Sequence, residues 1–265
     1  MKKYYKKELK NLVIIFEPTG SYSALLKRFC AEKHIYAFII NPRQSANFAK
    51  ALDNRSKSDI IDAKMLYKFH VMISTSEINV PVINAVQEEL SEMLTYFKFI
   101  QKERVSFSNH LEALDSKNGS IMIIKKLKQE IKHLKVEEEN MIISMKKLLL
   151  SDSKMKQNFE NITSIVGVGD RAAIALIHLF ISYPEANRQE IVALCGLDAI
   201  ENSSGTSVHR KTRISKKGSS LYRSILFMPV LSAIQHNPYM KLFYDRLKDN
   251  GKHSTVAQIA VMRKM

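Results

Sequence analysis

Two aspartates three residues apart, Asp59 and Asp62, lie in the segment K-S-D-I-I-D-A at residues 57–63. The segment reads as helix, and side chains three apart on a helix are neighbours, with Cβ atoms roughly 5–6 Å apart. Glu17 lies upstream, at the end of an apolar run. Three carboxylates converging on one point would suit a divalent metal, a hard cation that takes oxygen ligands. The plainer use of such aspartates is to cap a helix or to offset its dipole. A second group is cationic. Arg210, Lys211, Arg213, Lys216 and Lys217 fall in a stretch rich in Ser and Thr, with Arg223 just beyond. No Asp or Glu occurs between Glu201 and Asp245. A one-signed run bounded by Gly205 and Gly218 fits phosphate contact better than an ordinary solvated face. A third group is Gly167 and Gly169 in the turn I-V-G-V-G, followed by a helix rich in small residues. This pattern resembles a helix-hairpin-helix, whose backbone N–H groups can hold a phosphate. A helix-to-helix turn without a ligand needs the same glycines.

The elements that must position these groups can be read from apolar patterning. Residues 12–16 (LVIIF) and 35–40 (IYAFII) are short apolar runs closed by turn residues, the signature of buried strands. Glu17 sits at the C-terminal end of the first, where open α/β sheets place ligands. Helical spacing follows each strand, and Ser58 can cap the helix that carries Asp59 and Asp62. The order β-α-β-α-α predicts an α/β layer with a parallel strand pair. Two strands alone cannot bury their faces or protect their edges, so further strands are expected before residue 12 or from another chain. Residues 84–150 contain no Pro and only one Gly, Gly119. Apolar residues there predict two long antiparallel helices. In the second, Leu127, Ile131, Leu134, Glu138, Met141, Met145 and Leu148 alternate steps of four and three, a coiled-coil pattern with Glu138 as an imperfect position. Such a hairpin can pack on its own chain or form a dimer seam. The C-terminal third reads as helices, with residues 201–220 as a polar loop.

The chain has 265 residues, a formal net charge of +15 and 45% hydrophobic residues. That is enough apolar material for a core and argues against global disorder. So large a basic excess points to a polyanionic partner. No apolar run reaches the roughly 18 residues of a membrane span, and the basic start is not followed by the pattern of a signal peptide. Cys30 and Cys195 are far apart, in apolar surroundings, without metal-ligand spacing. They are expected as buried reduced thiols in a cytoplasmic protein. Nucleic acid is therefore the expected partner.

The motifs together resemble the insertion-sequence-110/116/902 family of bacterial transposases, the DEDD transposases. The N-terminal match is F-E-P-T-G with Glu17, N-P at 41–42 and K-S-D-I-I-D-A. The C-terminal match is the G-V-G turn, C-G-L at 195–197, S-S-G at 203–205, I-S-K-K-G-S-S-L-Y-R at 214–223 and G-K at 251–252. The resemblance spans nearly the whole chain in the right order. It implies an α/β plus mostly α chain in three parts. These are a partial ribonuclease H-like (RuvC-type) domain at 1–82, a helical coiled-coil region at 83–152, and a C-terminal transposase domain with the helix-hairpin-helix-like turn at 153–265.

The resemblance also implies roles. Glu17, Asp59 and Asp62 match the last three members of an acidic D-E-D-D tetrad that would hold Mg2+ (or Mn2+). Ser204, with Ser203 as its neighbour, matches a nucleophilic serine. Gly167, Gly169, Arg210, Lys211, Arg213, Lys216, Lys217 and Arg223 would face DNA. Cutting and rejoining of DNA, a structured guide RNA and a homo-oligomer through the helical region are implied as well. One departure stands out. The first tetrad aspartate should precede Glu17, but the only carboxylate there is Glu8, in a Lys-rich run. A chain truncated at its N-terminus, and cut close to a helix at its C-terminus, is therefore expected. The alternatives are a non-catalytic DNA- or RNA-binding remnant and a coiled-coil assembly protein whose charge serves solubility.

Overall fold

The computed structural model describes residues 12–18, 20–52, 58–204 and 208–265, with backbone alone for 201–204 and 208–211. Residues 1–11 with Glu8, residue 19, residues 53–57 and residues 205–207 with Gly205 lie outside the described residues. The chain divides into two compact units, Met1–Asn84 and Ala85–Met265. No described helix is long and apolar enough to cross a membrane.

In the N-terminal unit, strand β1 (Val13–Phe16) pairs in parallel with β2 (Tyr36–Ile39), register Val13 to Tyr36. A parallel pair needs a crossover, and helix α1 (Gly20–Glu32) supplies it. His34, with φ 51°, makes the turn out of α1, and Ile35 N–H returns to the Cys30 carbonyl at 2.9 Å. On its other side β2 meets Asn79 through an antiparallel bridge at Ala37. The core here is small: Phe16, Cys30, Ile35 and Ala37, with Leu12, Ile14 and Leu26 against it. Helix α2 (Pro42–Ala51) begins with Pro42 in its first turn and Asn41 as cap, whose side chain accepts from Arg43 N–H at 2.9 Å. Helix α3 (Asp59–His70) is capped by Ser58, which accepts from Ile61 N–H at a long 3.4 Å. Three aromatic rings fix α3 in place. Phe69 lies 6.2 Å from Phe38 of β2 and 5.1 Å, edge-on, from Phe48 of α2.

The C-terminal unit is almost all helix. Helices α4 (Ala85–Asp115) and α5 (Ile121–Leu150) form the long hairpin that the periodicity predicts. Gly119 N–H closes the first helix on the Leu114 carbonyl at 2.8 Å. The imperfect position is explained at once: Glu138 of α5 accepts from Arg104 of α4 at 2.6 Å. Then follow α6 (Ser153–Thr163), α7 (Asp170–Ser182) and α8 (Arg188–Leu194). Helix α7 is the axis of the unit. It buries Ala172, Ala173, Ile174, Ala175, Ile177 and Leu179, as expected of a helix packed on most sides. Leu94 and Phe97 of α4 and Met145 and Leu149 of α5 belong to the same core. One end of the long hairpin therefore packs on its own chain.

The stretch 201–220, expected as polar loop, instead carries most of two antiparallel strands, β3 (Ala199–Ser204) and β4 (Val208–Ile214). Their sequences are polar and charged, so no apolar alternation announces them. Helices α9 (Ser220–His236), α10 (Pro238–Asp249) and α11 (Ser254–Lys264) complete the unit.

Candidate functional site

The three acidic residues all belong to the N-terminal unit. Glu17 follows β1 directly, and α3, which carries Asp59 and Asp62 in its first turn, packs against β1. Asp59 is exposed, while Asp62 and Glu17 are half-buried. Both aspartates face the positive end of the α3 dipole, which favours their charge. Glu17 has a partner that sequence reasoning did not select: the buried Ser45 of α2 donates its hydroxyl to Oε1. Serine carries no distinguishing signal at that position.

Three carboxylates are the right donor type for a hard divalent cation. Their arrangement does not complete such a site. Among the described residues, no group of three or more His, Cys, Asp or Glu is placed to hold a metal ion. The donor chemistry fits a metal and the geometry does not, so no step of a reaction is built through one.

The serine pair and the basic run share the β3–β4 hairpin. Ser203 pairs with His209 and Ser204 with Val208, so both lie at the C-terminal end of β3. Arg210, Lys211 and Arg213 are carried by β4, and Lys216 and Lys217 follow it. Arg213, Lys216 and Lys217 are exposed. The ladder is irregular between Ile200 and Asn202, which adds local twist. At the foot of the hairpin, Ser215 N–H reaches the Asp198 carbonyl at 2.8 Å, and its hydroxyl donates to the Asp198 carboxylate. Arg223, in the first turns of α9, is half-buried.

The G-V-G turn joins α6 to α7 and opens onto a cleft of about 860 Å³, lined also by Gln101, Arg171 and Ser224. Its two glycines differ. Gly167 has φ +101°, and a Cβ there would stand 2.8 Å from the Ala233 backbone of α9. This glycine is required by the close approach of two backbones. Gly169 has open space, with nothing within 4 Å of an added Cβ, and caps α7. Its side of the turn is where a phosphate can approach backbone N–H groups. Lys146 bonds Asp170 at 2.8 Å across the mouth. The Arg171 guanidinium sits 4.8 Å from the Phe97 ring, and burial lowers its pKa although Glu138 opposes the shift.

Behind this surface lies a buried polar pair. His178 Nδ1 and the Tyr222 hydroxyl are 2.9 Å apart, and burial lowers the imidazole pKa while raising that of the phenol.

Comparison with known proteins covers both units. A family model described as "Transposase IS116/IS110/IS902 family" matches residues 159–245. A second, the DEDD transposase model of the IS110 group, matches residues 1–115. The first spans the G-V-G turn, the hairpin and α9; the second spans Glu17, Asp59 and Asp62. Similar full-length relatives include the pilin gene-inverting proteins of Moraxella bovis and Moraxella lacunata. Each is 24% identical over 262 residues, covering 96% of this chain and 77% of the relative. With two models of one family matching most of its length, in order, this chain belongs to the IS110/IS116/IS902 transposase family.

Proposed function

We propose that the chain is the recombinase of an insertion sequence, cutting and rejoining DNA through a serine of the β3–β4 hairpin. The observation that carries this reading is the placement of Ser203 and Ser204 at the C-terminal end of a strand whose partner bears Arg210, Lys211 and Arg213. Cations on the partner strand would neutralise phosphates and hold a DNA backbone beside the hydroxyl. The names of the relatives, which invert a gene, describe the same class of DNA rearrangement.

In the proposed step, Oγ of Ser204 attacks a DNA phosphorus. The O–P bond to serine forms as the bond to one sugar oxygen breaks, and that oxygen leaves as a hydroxyl. The serine proton passes to a base. Attack by a sugar hydroxyl on the phosphoserine reverses the chemistry and joins strands without an external energy source. A serine hydroxyl is a weak nucleophile without such activation. Glu17, Asp59 and Asp62 of the N-terminal unit would be the acidic residues, and Mg2+ or Mn2+ is the cofactor class their chemistry suits. Gly169, with Gly167 shaping its turn, would offer backbone N–H groups to a second stretch of phosphate. Lys216 and Lys217 extend the basic surface. A structured guide RNA and self-association through α4 and α5 complete the proposed assembly.

The test uses DNA from the flanks of the gene, with Mg2+ and RNA transcribed from the same flanks. A covalent protein–DNA adduct is expected from the natural chain and lost in Ser204→Ala. An adduct lost only in Ser203→Ala moves the role to its neighbour, and one surviving both substitutions removes the serine from the mechanism. A second reading is favoured by the carboxylate arrangement, which does not gather three ligands. A nucleic-acid-binding chain without cleavage would show salt-sensitive binding, with a slope of roughly −0.9 per phosphate on duplex, and no adduct.

A further inference from the structure

We infer that Arg223 is a positioning residue that ties the foot of the β3–β4 hairpin to α9, and so fixes the serine-bearing strand end relative to the helical core. Its Nη1 donates to the carbonyls of Cys195 at 2.8 Å, Gly218 at 2.9 Å and Ser219 at 3.2 Å. Cys195 belongs to the turn that enters β3, and Gly218 and Ser219 belong to the turn that leaves β4. One guanidinium therefore bridges both ends of the hairpin. All three bonds come from Nη1, at the far end of the side chain, and a lysine stem is one atom shorter, so its ammonium falls short of that position.

The backbone around the guanidinium is built for that contact. Gly196 has φ +64°, and a Cβ on it would lie 2.5 Å from Arg223 Nη1. A Cβ on Gly218 would lie 2.0 Å from the Leu194 carbonyl oxygen and 2.4 Å from Gly196 N. The two turns thus touch backbone to backbone, which only glycine permits. Three further bonds join them: Lys216 N–H to the Gly196 carbonyl at 3.1 Å, Ser219 N–H to the Leu194 carbonyl at 2.8 Å, and Ser215 N–H to the Asp198 carbonyl at 2.8 Å. Lys216 adopts φ 51° to make the turn. Helix α9 then buries Tyr222, Leu226 and Val230 in the core. Arg223 is one link between hairpin and core, beside Ile214 of β4, which packs against the core. A two-stranded hairpin depends on such anchors, because two isolated strands are marginal in water.

This role extends the serine reading proposed above, and the experiment separates the two. Full-length Arg223→Lys, Arg223→Met and Gly196→Ala are compared with the natural chain. Gly196→Ala keeps the arginine and displaces its guanidinium, so it covers the case in which Arg223→Met does not fold. In hydrogen exchange, residues 199–214 are expected to exchange at least about tenfold faster in all three variants, while α7 amides keep their protection. Equal loss in the hairpin and in α7, or unchanged hairpin protection, overturns the tie. On a fluorescein-labelled DNA duplex of mixed sequence, the salt dependence of binding is expected to hold in Arg223→Met. A slope reduced by roughly 0.9, restored in Arg223→Lys, makes the residue a phosphate ligand and overturns the proposal. At saturating DNA, adduct formation is expected to slow by at least about tenfold in Arg223→Lys and Arg223→Met alike, without loss of affinity. Full activity in either variant overturns the positioning role. If the natural chain forms no adduct, or forms one that survives Ser203→Ala and Ser204→Ala, the serine reading falls. The tie is then decided by the exchange data.

Discussion

The N-terminal unit buries its core around two strands of four residues, whereas the C-terminal unit wraps its helices about α7, buried over most of Ala172–Leu179. The cores differ in the same sense. The first unit's cluster is Phe16, Cys30, Ile35 and Ala37, whereas the second gathers side chains from α4, α5, α6, α7, α9 and α11. Ala172, Ala173 and Ala175 of α7 let neighbouring helices approach closely. The acidic residues are thus held by the less supported unit and the hairpin by the better supported one. Local opening free energy follows buried contact, so Glu17, Asp59 and Asp62 sit on the part of the chain that opens first.

The largest expected effect separates the units outright. A fragment of residues 85–265 should give a cooperative thermal transition, and a fragment of residues 1–84 should give none; calorimetry on both decides it. A cooperative transition in the shorter fragment would erase the contrast. Next in size is the ion pair inside the helical hairpin. Glu138→Leu leaves Arg104 half-buried without its partner and should cost the C-terminal unit about 3 kcal/mol. Adding Arg104→Met should recover most of that loss, as read from urea midpoints. Equal losses in the single and double variants would show that the pair contributes nothing special. Gly167→Ala should cost about 2 kcal/mol, combining φ strain with contact against Ala233. The same substitution at Gly169, which has open space, should cost much less, so the ratio of the two tests the asymmetry of the turn.

The smallest effect concerns pH. Burial holds the His178 pKa below its ordinary 6.5, so the unfolded chain binds a proton there before the folded one does. Stability from this group is full above pH 6.5 and falls as pH drops below it, down to the lowered folded value. His178 Nε2 has no hydrogen-bond partner among the described residues, so nothing stabilises an added proton. His178→Phe should flatten the stability profile on the acid side of pH 6.5 in the C-terminal unit. A slope that persists in the variant assigns it to another group.

Much of this contrast was legible in the sequence, and the reasons differ by element. The strands at Val13 and Tyr36 announce themselves as β-branched and aromatic runs closed by turn residues. The long helices follow from sustained spacing, and even the misfit at Glu138 was visible, although its answer, Arg104, lies 34 residues away on the other helix. The β3–β4 hairpin was not legible. Its strands are polar and charged, so the period of two carries no apolar signal. The contacts of Arg223 were beyond reach for another reason. They go to main-chain carbonyls, and a carbonyl has the same sequence signature everywhere. For the acidic site, the residues and their elements could be read, but whether they converge depends on packing in a unit with little core.

The two buried thiols give the asymmetry a chemical outlet. Cys30 lies in the core of the first unit and Cys195 at the turn into β3, and both are fully or almost fully buried. Burial raises both pKa values, that of Cys195 to about 11, with Arg223 pulling weakly the other way. Neither thiol presents a thiolate to an oxidant while its surroundings stay closed. Oxidative damage therefore enters each unit only as fast as that unit opens. The order of attack, Cys30 before Cys195, is set by the architecture rather than by the reactivity of sulfur.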